Sequence, residues 1–154
     1  MSPVPLQDQF AAKSICFGCG PANPAGLHVQ SIPEGDDVVC HWTPAAHHHA
    51  FPGVLNGGIV GAILDCHCNW TGAYHLMQRD QLAAPPCTVT ADYTVTLKRP
   101  TPMDCQLEIR ARAVASDGPK VIVEGTLSGN GKITATFRGT FVAVNSGHPA
   151  WHRW

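Results

Sequence analysis

The stretch "GVLNGGIVGAILDCHCNW", residues 53–70, decides how the chain is read. It opens on Asn56-Gly57-Gly58, runs on through apolar side chains, and carries one carboxylate, Asp65. From Gly58 to about Gln78 there is no proline, and the run suits a helix about 30 Å long. At 100° per residue, Ile59, Ile63, Trp70, Tyr74 and Met77 share a bulky side that is expected to lie on a sheet. Gly58, Gly61, Ala62, Asp65, Asn69 and Gly72 share the other side, where small residues would admit a second backbone or a ligand. A carboxylate in such apolar surroundings is costly unless it is paired or used, so Asp65 is the first functional candidate.

Downstream of the helix the period changes to two, the strand signature. Val89, Ala91, Tyr93, Val95 and Leu97 alternate with Thr88, Thr90, Asp92, Thr94 and Thr96. Leu107, Ile109, Ala111 and Ala113 alternate with Glu108, Arg110 and Arg112, and further strands run through "VIVEGTL" and Ile133–Phe141. "SDGPK" and "SGNG" read as the turns between them, the second a strong hairpin signal. Upstream, residues 1–15 read as a short helix or arm, and "CFGCGPANPAG" (16–26) as turns. Two short strands are expected near 27–32 and 37–43 across the turn "PEGD", and 44–53 is expected to be a loop. The tail, "NSGHPAWHRW", would dock through Trp151 or Trp154, or fray. One helix followed by four hairpin-linked strands predicts an α+β fold, with the helix wrapped by a curved antiparallel sheet.

At 154 residues the chain suits a single domain spanning 1–154, with an arm and turn segment at 1–26 and a tail at 145–154. Charged residues make up 14% and apolar ones 44%, a sparsely charged surface that favours an oligomer interface. A formal net charge of −1 without a basic block argues against nucleic acid. "MSPVPLQDQF" lacks the basic and apolar regions of a secretory signal, and no apolar run reaches membrane-span length, so a cytoplasmic protein without a membrane partner is expected. Seven cysteines, an odd number, read as reduced thiols.

These motifs together resemble the hotdog-fold acyl-CoA thioesterases, specifically the PaaI-like branch. The resemblance rests on "CFGCGPANPAGL", on His48 ahead of "FPGVLNGG", on the helix bearing Asp65, and on "TADYTVTLKRP". It covers nearly the whole chain and implies a hotdog fold paired into a homodimer, with a dimer of dimers left open. It also implies hydrolysis of an acyl-CoA, in which coenzyme A is part of the substrate and no cofactor is used. The family's His-Gly-Gly stands here as Asn56-Gly57-Gly58; an amide can hydrogen-bond a carbonyl but cannot titrate. The family's helix carboxylate matches Asp65, and an assisting Ser or Thr falls at Thr90.

Thioester hydrolysis needs an oxyanion donor and an attacking oxygen. The first turn of a helix has free N–H groups and the positive dipole end, so the Gly57 amide is the preferred donor and Gly58 the second. Asp65 would act as general base on water or as nucleophile. His48, Asn69, Lys98 and Arg99 are the substrate-binding candidates, the two cations for the CoA phosphates. Gly57 and Asp65 lie about 12 Å apart along one helix, so a single thioester carbon would need Gly57 from one chain and Asp65 from its partner.

Three other readings compete. A metal site is suggested by Cys16/Cys19, by Cys66 with Cys68, and by His47–His49, but only Cys16/Cys19 have ligand spacing. Cys66 and Cys68 diverge by about 200° on a helix, so no metal is expected. A Cys–His nucleophile built from Cys66 or Cys68 would need a histidine from elsewhere, since His67 points away from both neighbours. The last is a hotdog protein that binds an acyl-CoA or similar small ligand without cleaving it.

Overall fold

The computed structural model describes residues 2–151. In chain order, a short helix α1 (Leu6–Phe10) leads into strands β1 (Ile32–Glu34) and β2 (Asp37–Trp42). A single 3-10 turn (Ala46–His48) and a small hairpin, β3 (His49–Phe51) with β4 (Val54–Leu55), precede helix α2 (Gly57–Asp80). Four long strands follow: β5 (Thr88–Leu97), β6 (Leu107–Asp117), β7 (Lys120–Gly129) and β8 (Lys132–Ala143). The main sheet is antiparallel with order β1-β2-β6-β7-β8-β5, and α2 packs across β5 to β8. This is the α+β hotdog arrangement expected from the sequence.

The hairpin turns sit where the sequence places them. Asn130 and Gly131 both take positive φ, closing β7 onto β8 through the Gly129–Lys132 pair. The expected strand at 27–32 begins only at Ile32, and the expected loop 44–53 contains the 3-10 turn and most of the small hairpin. Ile133 is exposed and Thr134 buried, because a register irregularity at Leu127/Ser128 shifts the pattern. Of the tail, Trp151 is partly exposed, and Trp154 lies outside the described residues.

The side of α2 that meets the sheet differs from the expectation, because residues of the small side take part in it. A Cβ built on Gly72 would stand 2.9 Å from Val121 and 3.3 Å from Val123, so this residue of the small face lies directly on β7. One built on Gly125 would stand 2.9 Å from the Cys68 sulfur, the same close approach one turn away. Trp70, from the bulky side, turns instead to the N-terminal segment, where its indole N–H donates to Cys19 Sγ at 3.3 Å. At Gly72 and Gly125 helix and sheet approach so closely that a larger residue would not fit.

A buried polar relay fixes the arm to the helix. Gln7 Nε2 donates to Ser31 Oγ at 2.9 Å, and Ser31 N–H donates back to Gln7 Oε1 at 2.8 Å. Ser31 Oγ lies 2.8 Å from His67 Nδ1, and His67 Nε2 lies 2.9 Å from the Val38 carbonyl. A carbonyl only accepts, so Nε2 carries the proton and Nδ1 accepts from Ser31. Burial pushes the ring down to about 4, which keeps it neutral. His67→Leu should cost about 2–4 kcal/mol, since the Val38 carbonyl and the Ser31 hydroxyl each lose a buried partner. Urea denaturation should show a lower midpoint at unchanged slope; a loss below about 1 kcal/mol would contradict the relay.

Candidate active site

Two half-sites lie along α2. The first is at its N-terminus, where Asn56 is the N-cap and its Oδ1 accepts from Gly58 N at 2.8 Å and from Ile59 N at 3.2 Å. The Gly58 amide, second choice as donor, is therefore occupied by the cap. Gly57 N–H makes no hydrogen bond among the described residues and stays exposed at the positive end of a helix of 24 residues. Asn56 thus aims the helix start, and its side chain keeps only Nδ2 for other contacts. Gly57 shares a cavity of about 370 Å³ with Phe51, Leu55, Val60, Leu97 and Arg99.

His48 reaches this end of the helix through its backbone, whose carbonyl accepts Asn56 N–H at 2.9 Å. Its ring serves its own turn: Nδ1 accepts Ala45 N–H at 2.9 Å, and the ring stacks on Trp42 with centroids 5.4 Å apart. Burial and then neighbouring His47 hold His48 below the usual imidazole range. Lys98 and Arg99 leave β5 with both amides anchored on the Thr134 carbonyl, at 2.8 and 3.2 Å, and both side chains are exposed. Of the pair, Arg99 faces the Gly57 cavity.

The second half-site is two turns along α2. Asp65 is half-buried, and Thr90 Oγ1 donates to its Oδ1 at 2.8 Å. One turn further, Asn69 exchanges bonds with Thr88: the Thr88 hydroxyl donates to Asn69 Oδ1, and Asn69 Nδ2 donates to the Thr88 carbonyl at 3.4 Å. Asp65, Asn69, Trp70 and Thr90 line a cavity of about 360 Å³ together with Cys16, Cys19 and Cys66. The two cavities share no lining residue, so within one chain the amide of Gly57 and the carboxylate of Asp65 face different spaces.

The Thr90–Asp65 contact exists because β5 is irregular. The β5–β8 register shifts between Thr90 and Asp92, leaving Ala91 as an extra residue. Before that bulge the even positions Thr88 and Thr90 face the helix. Beyond it Tyr93 does, stacking on Phe137 at 5.3 Å with its hydroxyl 3.8 Å from a Cβ built on Gly61. Strict alternation from Val89 to Leu97 therefore misassigns the first half of the strand. An apolar series broken by Thr at 88 and 90 is a weak signal, readable only beside the helix it meets.

Sequence spacing also missed a convergence of sulfurs. Cys66 and Cys68 do diverge, Cys68 toward Gly125 and Cys66 toward the arm, but Cys66 alone meets Cys16 and Cys19. Hydrogen bonds with the Cys19 and Cys66 thiols hold Cys16 well below an ordinary thiol, and the bond with Cys16 pushes Cys19 up to about 12. Burial, followed by the Asp65 charge, pushes Cys68 up.

No family model and no curated protein matches this chain. Solved structures do. A thioesterase superfamily protein from Shewanella loihica PV-4 is 28% identical, with TM-score 0.64, over 81% of this chain and 98% of its own. The E. coli PaaI protein, from the phenylacetic acid degradation operon, aligns at 18% identity and TM-score 0.61, over 77% of this chain and 81% of its own. Zebrafish thioesterase superfamily member 2 aligns at 21% identity and TM-score 0.62, over 80% and 90%. Helix α2 wrapped by six antiparallel strands, together with these likenesses, makes the chain a hotdog-fold protein similar to thioesterase superfamily members, PaaI among them.

Proposed function

We propose that the protein is an acyl-CoA thioesterase that works as a homodimer, with each active site drawn from both chains. The observation that carries this reading is the pairing of an exposed amide at Gly57 with a carboxylate at Asp65 held by Thr90, in cavities that do not meet within one chain. The likeness to structures named as thioesterases supports the reaction class.

In the reaction, the thioester carbonyl oxygen sits on the Gly57 amide. Asp65 of the other chain takes a proton from water as that water attacks, or attacks the carbonyl carbon itself to form an anhydride that water then opens. Both routes pass through a tetrahedral oxyanion held by Gly57 N–H, and in both the C–S bond breaks and CoA thiolate leaves. Thr90 Oγ1 holds one carboxylate oxygen of Asp65 in place. Asn69 and His48 border the substrate, and Lys98 and Arg99 offer cations to the CoA phosphates.

Pairing is supported by β5, an edge strand of ten residues whose outer side has no strand partner among the described residues, with Tyr93 and Leu97 46% and 59% exposed. Seven unbridged cysteines suit a reducing, cytoplasmic setting. No helix among the described residues is long and apolar enough to cross a membrane. A panel of acyl-CoAs assayed for free thiol tests the reaction. Tight binding without any cleavage would instead establish a ligand-binding hotdog protein, a reading that Asn56 favours, since its amide caps the helix where the family has a titratable His.

A further inference from the structure

Two separate stretches of chain bring three sulfurs to one point. Cys16 and Cys19 come from the turn "CFGCG" and Cys66 from the middle of α2, and their Sγ atoms all lie within 4.8 Å of one another. Among the described residues this is a group of donors with no oxygen or imidazole in it, a soft set. The Cys16 and Cys66 sulfurs are 3.8 Å apart. Four sulfurs placed tetrahedrally about 2.3 Å from a zinc ion would be about 3.8 Å apart along each edge, which the Cys16–Cys66 pair matches.

The surroundings are built for sulfur as well. A Cβ on Gly18 would fall 2.2 Å from Cys66 Sγ, and one on Gly20 would fall 2.4 Å from both Cys16 N and the Ser14 carbonyl. Any larger residue at either position would therefore open the turn and lift Cys16 and Cys19 away from the helix. Gly20 N–H closes that turn on the Cys16 carbonyl at 2.8 Å. The Trp70 indole N–H donates to the Cys19 sulfur at 3.3 Å. Donors of this kind around the ligating atoms orient them and hold their charge. The three cysteines also line the cavity that Asp65, Asn69 and Thr90 share.

We propose that Cys16, Cys19 and Cys66 bind one zinc ion through three thiolates, with the fourth position open to solvent in the Asp65 cavity. Each thiol releases its proton to the buffer as its Zn–S bond forms, with no change in oxidation state. The ion ties the N-terminal turn to α2 beside the carboxylate. This site does not depend on the thioesterase reading, because metal content is measured without any substrate.

The test uses the reduced, full-length protein. Elemental analysis of protein purified without chelator should return about one zinc per chain. Protein stripped of metal and titrated anaerobically with Co(II) should develop sulfur-to-cobalt charge-transfer bands and tetrahedral d–d bands that saturate at one equivalent. Cys66→Ser, checked for folding by circular dichroism, should lose most of the charge-transfer intensity and bind at least tenfold more weakly, while Cys105→Ser should titrate as wild type. A wild-type titration without charge-transfer bands overturns the proposal, whether or not Cys66→Ser folds. So does a folded Cys66→Ser protein that binds cobalt as the wild type does, or a Cys16–Cys66 disulfide found by mass spectrometry under the same reducing conditions.

Discussion

Asp65→Asn is expected to lower kcat/KM for acyl-CoA hydrolysis by about 10²–10⁴-fold while leaving the melting temperature nearly unchanged. The substitution is isosteric. Thr90 Oγ1 donates to Asp65 Oδ1 at 2.8 Å, and an amide oxygen in the same place accepts the same bond. What disappears is the ability to take a proton from water or to attack the thioester carbon. Binding of the CoA portion should survive, because Lys98 and Arg99 lie at the far end of β5. The change should therefore fall on kcat, with KM moving little. Retention of more than about a tenth of wild-type activity would remove Asp65 from the chemistry.

Gly57→Pro should cost about 10²–10³-fold in kcat, the usual loss for one oxyanion donor. Proline deletes the N–H and nothing else that the helix needs. Gly57 is the first residue of α2, where proline is well tolerated and its fixed φ suits the helix. Asn56 stands at φ −58° and ψ 132°, the extended backbone that a residue before proline prefers. A Cβ at this position meets only Leu97 Cδ1, at an ordinary contact distance of 3.6 Å. The N-cap bonds from Asn56 to Gly58 and Ile59 are untouched. A Gly57→Pro protein as active as wild type would shift the oxyanion donor to another group.

Several of these particulars could be read from residue order. A proline-free helix from Gly58 to about Gln78 and alternating strands after Thr88 are local patterns, and local physics sets them. Asp65 stood out as a carboxylate in an apolar run. The orientation of α2 was not legible, because the bulk of a side chain says that it is buried and not against what. Gly72 meets Val121 and Val123 at a distance no larger residue allows, so the glycine, rather than the tryptophan two positions earlier, marks the sheet side. The bulge at Ala91 was hidden for a related reason: the strand sequence alternates well enough, and only its pairing with β8 reveals the extra residue. The meeting of Cys66 with Cys16 spans 50 residues of sequence, and spacing rules do not see across such a separation.

Mixing two inactive proteins tests whether one active site takes Gly57 from one chain and Asp65 from the other. Gly57→Pro and Asp65→Ala proteins, each nearly inactive alone, are unfolded, combined in equal amounts and refolded. Random pairing makes about half of the dimers mixed, and each mixed dimer holds one site with both groups intact and one with both missing. Activity should return to about a quarter of wild type. If mass spectrometry shows mixed dimers and activity stays at the level of the separate mutants, Asp65 works within its own chain and the shared site is wrong.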